Sequence, residues 1–151
     1  HRDIKAANIL LGTEGSVKLA DFGASRALCD TVNKANTFVG SPYWMSPDVI
    51  LQQNYDGKSD IWSLGITCIE LATGKPPHTD VNAMAALQII IRDPPPQLTG
   101  NFSKDFKDFV SMCLVKQPTE RASINDLLKT KFIRNAKKTK VIAELFGGRE
   151  Q

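Results

Sequence analysis

The stretch that decides the fold is SDIWSLGITCIELATG, residues 59–74. Apolar residues occupy nearly every side of this segment, and Gly74 is a residue at which helices commonly end. The segment therefore predicts a helix that is buried on all sides. Such a helix requires other elements around it, so we expect a helical bundle packed against residues 59–74.

Three more helical patterns follow the central one. DVNAMAALQIII (80–91) has Asp80 as a candidate N-cap and stops before three consecutive prolines. SKDFKDFVSMCLV (103–115) places its phenylalanines, a valine and a cysteine at helical spacing. SINDLLKTKFI (123–133) begins with a serine and, three residues later, an aspartate, which is the spacing of a capping box. We expect one helix in each segment.

A β-hairpin is predicted near the start of the chain. NILL (8–11) and SVKLA (16–20) are β-prone runs separated by Gly-Thr-Glu-Gly, the composition of a turn. Residues 24–48 lose periodicity and are rich in Ser, Thr, Asn, Gly and Pro, which predicts a long loop of a length that is usually functional. The predicted fold class is α+β and mainly α: a short hairpin, a long loop and a helical bundle.

Composition excludes several classes of function. The net charge of +3 is too small to indicate nucleic-acid binding. Cys29, Cys68 and Cys113 form no CxxC pair, so neither a disulfide framework nor a zinc site is predicted, and an intracellular, cytoplasmic location is favoured. The sequence has no run of 18 apolar residues, so no transmembrane segment is predicted.

The hairpin is expected to gather oxygen ligands. Asp3 and Asn8 precede it and Asp21 follows it, so two carboxylates and an amide oxygen should lie close together at the open end of the hairpin. Such hard ligands suit Mg²⁺, which shares its coordination with substrate phosphates. One carboxylate can accept a hydroxyl proton while the other holds the metal on the phosphates. This arrangement indicates phosphoryl transfer.

Five motifs occur in one order: HRDIKAAN, DFG, GSPYWMSPD, DIWSLG and PTERAS. Together they resemble the C-terminal lobe of a eukaryotic protein kinase. The resemblance implies a lobe over residues 1–133, with a catalytic loop at 1–8 and an activation segment at 21–48, followed by a basic extension at 134–151. NTFVGSPYWMSPDVI and KSDIWSLGITCIELATGKPP are similar to the germinal-centre branch of sterile-twenty-like serine/threonine kinases.

The resemblance also implies chemical roles. Asp3 is similar to the base that orients the acceptor hydroxyl, and Lys5 to the cation that neutralises the transferring phosphate in serine/threonine kinases. Asn8 and Asp21 resemble the Mg²⁺ ligands. Leu10 matches the aliphatic residue under adenine, and core packing would explain it at the same time. The implied reaction uses ATP and Mg²⁺ and transfers the γ-phosphoryl group to Ser or Thr of protein substrates.

The long loop resembles an activation segment that carries a regulatory site. Thr37 stands at the family's usual phosphorylation position, and a phosphate adds about −1.5 to −2 charge. Arg2 and Arg26 match the positions that neutralise this charge; the alternative is that they are solvated loop arginines. Ser41 stands where the family more often has Thr, and its hydroxyl can still bridge the base and the lysine.

Five further residues are implied to be structural. His1 and Phe22 match a stacked apolar spine. Asp48 and Arg121 match a buried pair in which the family usually has a glutamate, and a mispaired buried charge costs about 3–5 kcal/mol. Asp60 resembles a buried helix carboxylate that fixes the backbone of the catalytic loop.

The chain contains no Gly-rich loop, no strand lysine with a partner glutamate and no hinge, which hold the nucleotide in the family. We therefore expect the N-terminal lobe to be absent and the fragment alone to be inactive. One hypothesis is a signalling kinase with an upstream kinase or scaffold as partner; the alternative is a non-catalytic truncated lobe that acts as a protein-binding module. A basic cluster is either a docking surface or, by the blander interpretation, a solvated face: Arg134, Lys137, Lys138 and Lys140.

Overall fold

The computed structural model describes residues 1–20, 41–53 and 56–147. The predicted site residues Asp21, Phe22, Arg26 and Thr37 lie outside the described residues. Within these ranges two strands and seven α-helices follow in chain order: β1 (Ile9–Leu11), β2 (Val17–Leu19), α1 (Pro47–Ile50), α2 (Lys58–Thr73), α3 (Ala83–Arg92), α4 (Lys104–Cys113), α5 (Ile124–Leu128), α6 (Lys131–Arg134) and α7 (Lys140–Gly147). The mainly helical α+β class is confirmed.

The hairpin is present where the sequence predicted it. β1 and β2 are antiparallel, with Leu10 opposite Lys18. The turn is closed by the Gly12 N–H, which donates to Ser16 O at 2.8 Å. Gly15 has φ +94°, and a Cβ at this position would lie 2.4 Å from Thr139 O. The turn therefore needs glycine both for its backbone angle and for the close approach of the segment that leads into α7.

The predicted central helix is α2, and it is buried over most of its length. Trp62 is fully buried and Ile66 nearly so. Gly74 ends the helix in the left-handed conformation, with φ 92°. A Cβ at Gly65 would lie 2.7 Å from Cys113 Cβ, so this glycine allows α2 and α4 to pack closely.

The other helices cover α2 with the apolar faces that their spacing predicted. α3 contributes Leu87 and Ile90, and α4 contributes Phe109 and Val110. Phe132 of α6 lies over α4, with its ring centroid 4.9 Å from that of Phe109. Each fully buried side chain of this size contributes about 1.5–3 kcal/mol to folding. The core thus lies around α2.

Three boundaries differ from the predictions. The N-cap of α3 is Asn82, whose side chain accepts a hydrogen bond from Ala85 N, while Asp80 lies in the preceding turn. Residues 123–133 form two helices, because the Thr130 side chain caps a new helix at its own position. The predicted loop to residue 48 ends earlier, since Ser46 caps α1 and Pro47 occupies its first position. The capping box at the start of α5 is confirmed.

No helix in the described ranges is both long enough and apolar enough to cross a membrane.

Candidate active site

The N-terminal segment (residues 1–8), which is predicted to be the catalytic loop, and the described segment that begins at residue 41 meet at Ser41. Lys5 Nζ donates to Ser41 Oγ at 2.7 Å, and Ser41 Oγ donates to Asp3 Oδ1 at 3.1 Å. Lys5 Nζ also lies 4.0 Å from Asp3 Oδ2. The structure thus brings together a carboxylate, an ammonium and a hydroxyl from positions up to 38 residues apart. We call these three residues the Asp3 cluster.

Asn8 is buried beside this cluster. Its Nδ2 donates to Asp3 O at 2.8 Å and to Asp3 Oδ2 at 3.2 Å. Its Oδ1 has no hydrogen bond within the part of the chain that the structure describes, so an amide oxygen remains next to a carboxylate. These are the oxygen donors that suit Mg²⁺. No group of three or more His, Cys, Asp or Glu side chains occurs in the described ranges that could hold a metal alone.

The backbone of the catalytic loop is held by Asp60, at the start of α2. Asp60 Oδ1 accepts from the Arg2 N–H at 3.0 Å, and Oδ2 accepts from the main-chain nitrogen of His1 at 2.9 Å. Arg2 has φ 71°, a conformation that is strained for a residue with a side chain. Two hydrogen bonds to one carboxylate offset this strain and hold the backbone of residues 1 and 2 against α2.

His1 connects the catalytic loop to the end of β2. Its Nδ1 accepts from the Asp3 N–H at 3.2 Å, so its Nε2 carries the proton and donates to Ala20 O at 2.7 Å. The ring is therefore occupied by main-chain partners on both sides. The apolar spine predicted for His1 and Phe22 stays a prediction, because Phe22 lies outside the described residues.

α2 carries a polar stripe that the sequence analysis did not identify. Its four members lie at spacings of three, four and three residues, on one face of the helix: Asp60, Ser63, Thr67 and Glu70. Ser63 Oγ donates to Trp44 O, and Glu70 accepts from Ala6 N and Trp44 Nε1. The regular spacing of polar residues within an otherwise apolar helix was the signal that could have revealed it.

Leu10 does not belong to the core. It is 53% exposed on β1, and Leu11, its neighbour, is 49% exposed. The interpretation of Leu10 as a core residue was therefore wrong. Ile9 is half-buried, and the other residues of β1 and all three of β2 are exposed.

Asp48 and Arg121 form a pair beneath α2. Arg121 Nη2 donates to Asp48 Oδ1 at 2.9 Å, and the two side chains are 1% and 0% exposed respectively. Arg121 also donates to three backbone carbonyl oxygens, those of Lys58, Val115 and Lys116. Asp48 Oδ2 accepts no hydrogen bond among the described residues. The short aspartate side chain thus reaches the guanidinium through one oxygen.

The two described cysteines are not candidate nucleophiles. Burial raises the pKa of Cys68 to about 11, and burial together with the nearby Cys68 raises the pKa of Cys113 to about 12. A cysteine attacks as its thiolate, which is scarce at neutral pH when the pKa is this high. Cys29 lies outside the described residues.

Comparisons of the sequence with known proteins find a family and several relatives. The family model described as "Protein kinase domain" matches residues 1–133. The chain is 53% identical over 144 residues to serine/threonine-protein kinase hippo of Drosophila melanogaster, which covers 94% of this chain and 22% of that protein. It is 50% identical over 147 residues to serine/threonine-protein kinase dst1 of Dictyostelium discoideum, covering 96% of this chain and 20% of that protein. The chain thus spans about a fifth of the length of these relatives.

Proposed function

The chain belongs to the protein kinase domain family, and from this premise we propose that it is part of an ATP-dependent serine/threonine kinase of the germinal-centre, sterile-twenty-like branch. The observation that carries the proposal is the Asp3 cluster, in which Ser41 Oγ bridges Lys5 Nζ and Asp3 Oδ1. A base beside a cation is the arrangement that hydroxyl phosphorylation requires. The acceptor class is serine or threonine of protein substrates.

In this proposal each member of the cluster has a separate task. Asp3 orients the acceptor hydroxyl and accepts its proton, because its carboxylate is partly exposed to an incoming side chain. Lys5 balances the charge on the transferring phosphoryl group. Ser41 bridges the lysine and the carboxylate, and the two charged groups lie 4.0 Å apart.

Asn8 and Asp21 are the proposed Mg²⁺ ligands, and Leu10 the proposed contact to adenine. Mg²⁺ and ATP, when bound, supply the phosphoryl group and neutralise its charge. Asn8 fits this task because its amide nitrogen is bound to Asp3 and its oxygen is left for the ion. Leu10 fits because an exposed aliphatic side chain offers an apolar surface to a planar base.

Regulation is proposed at Thr37, with Arg2 and Arg26 as the cations that a phosphate there would bind. Partners would be protein substrates and an upstream kinase or scaffold, in the cytoplasm. We propose that residues 1–133 form the kinase lobe and that residues 134–151 form a basic extension. Thr139 of the extension lies against the hairpin turn, since its carbonyl oxygen would be 2.4 Å from a Cβ at Gly15. This contact supports an extension that begins at a defined position on the lobe.

The test is a phosphotransfer assay on the complete protein with ATP, Mg²⁺ and a general protein acceptor such as casein. We expect Asp3→Asn to lower kcat by about 10²–10⁴-fold, because the base is lost while the shape is kept. Asp108→Asn is the matched control, since that aspartate lies on the exposed face of α4 and its carboxylate pairs, among the described residues, with Lys104. Phosphoserine or phosphothreonine should be the product. An Asp3→Asn variant as active as the wild type would refute the proposal.

A further inference from the structure

The basic excess of the chain is concentrated after α6. Residues 134–145 carry four cations and one carboxylate, a net charge of +3, which equals the net charge of all 151 residues. The rest of the chain is therefore neutral on balance. We call the four cations the basic patch: Arg134, Lys137, Lys138 and Lys140. The proposed function uses none of them.

The basic patch faces solvent, because every residue from 134 to 141 is exposed. Other exposed cations do form ion pairs, such as Arg92 with Asp93 and Lys104 with Asp108. None of the ion pairs found among the described residues involves the basic patch. Its charges are therefore available to an anionic surface.

α7, which follows the basic patch, is held on the lobe by one of its faces. Ile142, Ala143 and Phe146 of this face are half-buried. The main chain of Thr139 and Ala143 also lies against Gly15, in the turn of the hairpin. The helix therefore has a defined orientation, with one face toward the lobe and the other toward solvent.

The outward face of α7 is apolar and is edged by charge. Val141 and Leu145 lie one helical turn apart on this face and are 39% and 68% exposed. At 3.6 residues per turn, Lys140 and Glu144 lie on the same side of the helix, and both are exposed. An exposed apolar pair thus lies next to a segment with a net positive charge.

The size of this face favours a lipid bilayer over a folded protein. A helix that binds a protein groove uses three or more apolar anchors over two turns, and a stable protein interface buries about 800 Å² on each partner. Two apolar side chains fall short of both. A helix that lies in the bilayer interface needs only a small apolar face and cations that attract anionic lipids. With eight residues, α7 is about 12 Å long and would lie along such a surface.

We propose that the outward face of α7 and the basic patch bind the surface of a bilayer that contains phosphatidylserine. Val141 and Leu145 enter the headgroup region, and the cations lie over the anionic lipids. Each cation near such a surface changes the partition coefficient about fivefold, so the contact is reversible. The contact is independent of phosphoryl transfer, and it would bring the lobe to the membrane surface.

The test measures the partition of the complete protein onto sedimented vesicles of phosphatidylcholine with and without phosphatidylserine. We expect Lys137→Gln/Lys138→Gln/Lys140→Gln to lower partition onto the phosphatidylserine vesicles about 10²-fold, because three charges are lost. Binding by the wild type should also fall as NaCl rises from about 0.1 to 1 M, since the Debye length falls from about 10 to 3 Å.

A matched control removes three exposed cations elsewhere on the surface. Lys75→Gln/Arg92→Gln/Lys104→Gln changes the net charge by the same amount and leaves α7 and the basic patch intact. Its partition should stay within about threefold of the wild type, because charges more than a Debye length from the bilayer are screened.

Two single variants test the outward face of α7 itself. Glu144→Gln removes the one carboxylate there and should raise partition about fivefold. Leu145→Ser should lower partition about tenfold, because an apolar side chain is lost from the headgroup region. Both residues are exposed, so the far-ultraviolet circular dichroism of both variants should match the wild type.

Four results would overturn the proposal. The first is a wild-type protein that does not bind phosphatidylserine vesicles, and the second is equal binding to vesicles of phosphatidylcholine alone. The third is an equal loss of binding in the two triple variants. The fourth is binding of the wild type to polyglutamate but not to the vesicles, which would assign the basic patch to an acidic protein partner.

Discussion

Two of the aspartate–cation pairs among the described residues, Asp48–Arg121 and Asp3–Lys5, differ in exposure. The Asp48–Arg121 pair beneath α2 is 1% and 0% exposed, with 2.9 Å between the bonded atoms. In the Asp3 cluster the aspartate and lysine side chains are 23% and 26% exposed, with 4.0 Å between them. The carboxylate and the cation are therefore buried in the first pair and accessible to an incoming molecule in the second.

The difference shows what makes an ion pair structural or chemical. Arg121 donates to Asp48 and to three carbonyl oxygens, so its guanidinium is committed to main-chain contacts that fix the fold. Lys5 donates to one hydroxyl and keeps further donor capacity for a ligand. Partial exposure with a bridging hydroxyl leaves both charges available, and this is what a transfer reaction needs.

The largest expected effect follows from removing the buried cation. In Arg121→Met the Asp48 carboxylate would stay buried without a partner, and we expect the free energy of unfolding, measured by urea denaturation, to fall by about 3–5 kcal/mol. Arg92→Met is the control, because Arg92 is 73% exposed and pairs only with its neighbour Asp93. Its effect should stay below about 1 kcal/mol.

A double variant refines this prediction. Asp48→Leu/Arg121→Met removes both charges, so it should be less destabilised than Arg121→Met alone. If the double variant were the less stable of the two, the cost would come from lost packing and not from the unpaired carboxylate. The unpaired buried charge would then not explain why Arg121→Met destabilises the fold more than a change in the Asp3 cluster does.

The second effect is expected in activity and not in stability. Ser41→Ala removes the hydroxyl between Lys5 and Asp3 together with both of its hydrogen bonds, and this loss should lower kcat by about ten- to a hundredfold. The free energy of unfolding should change by less than about 1.5 kcal/mol, because water reaches both partners. Ser41→Thr keeps the hydroxyl and serves as the control. A stability loss as large as that of Arg121→Met would remove the distinction between the two pairs.

Much of the fold was predictable because its signals are local. Apolar spacing over residues 59–74 and a glycine at the end identified α2, and the turn composition identified the hairpin. The N-cap of α3 was predicted wrongly because Asp80 and Asn82 are both good caps two residues apart. Only the backbone angles of the folded chain decide between them, and they favour Asn82.

The site was predictable only in part. Motif resemblance singled out Asp3, Lys5 and Ser41, whose side chains do meet in the structure. Glu70 was missed because its partners lie 26 and 64 residues away; the spacing of polar residues along α2 marks a polar face but does not say which groups that face binds. Long-range hydrogen bonds of this kind become visible only when the packing of α2 is known.

The smallest expected effect extends the comparison to an aspartate that is fully exposed. Hydrogen bonds from the Ser123 backbone N–H and then from its hydroxyl hold the pKa of Asp126 below its usual value. The ionised form is therefore favoured in the folded state. Its contribution is present above the unfolded pKa of about 3.9 and is lost as the pH falls through the lower, folded pKa.

Asp126→Asn should therefore lower the free energy of unfolding slightly at pH 7, and the difference from wild type should shrink as the pH falls below 4. Urea denaturation at pH 7, 5 and 3 measures this. Ser123→Ala removes the hydroxyl bond and should weaken the same pH dependence. A difference that stays constant from pH 7 to pH 3 would show that the charge of Asp126 contributes nothing. In that case solvent would screen the exposed charge of Asp126 completely. The difference in stabilising effect between Asp126 and the buried Asp48 would then be larger than the lowered pKa of Asp126 indicates.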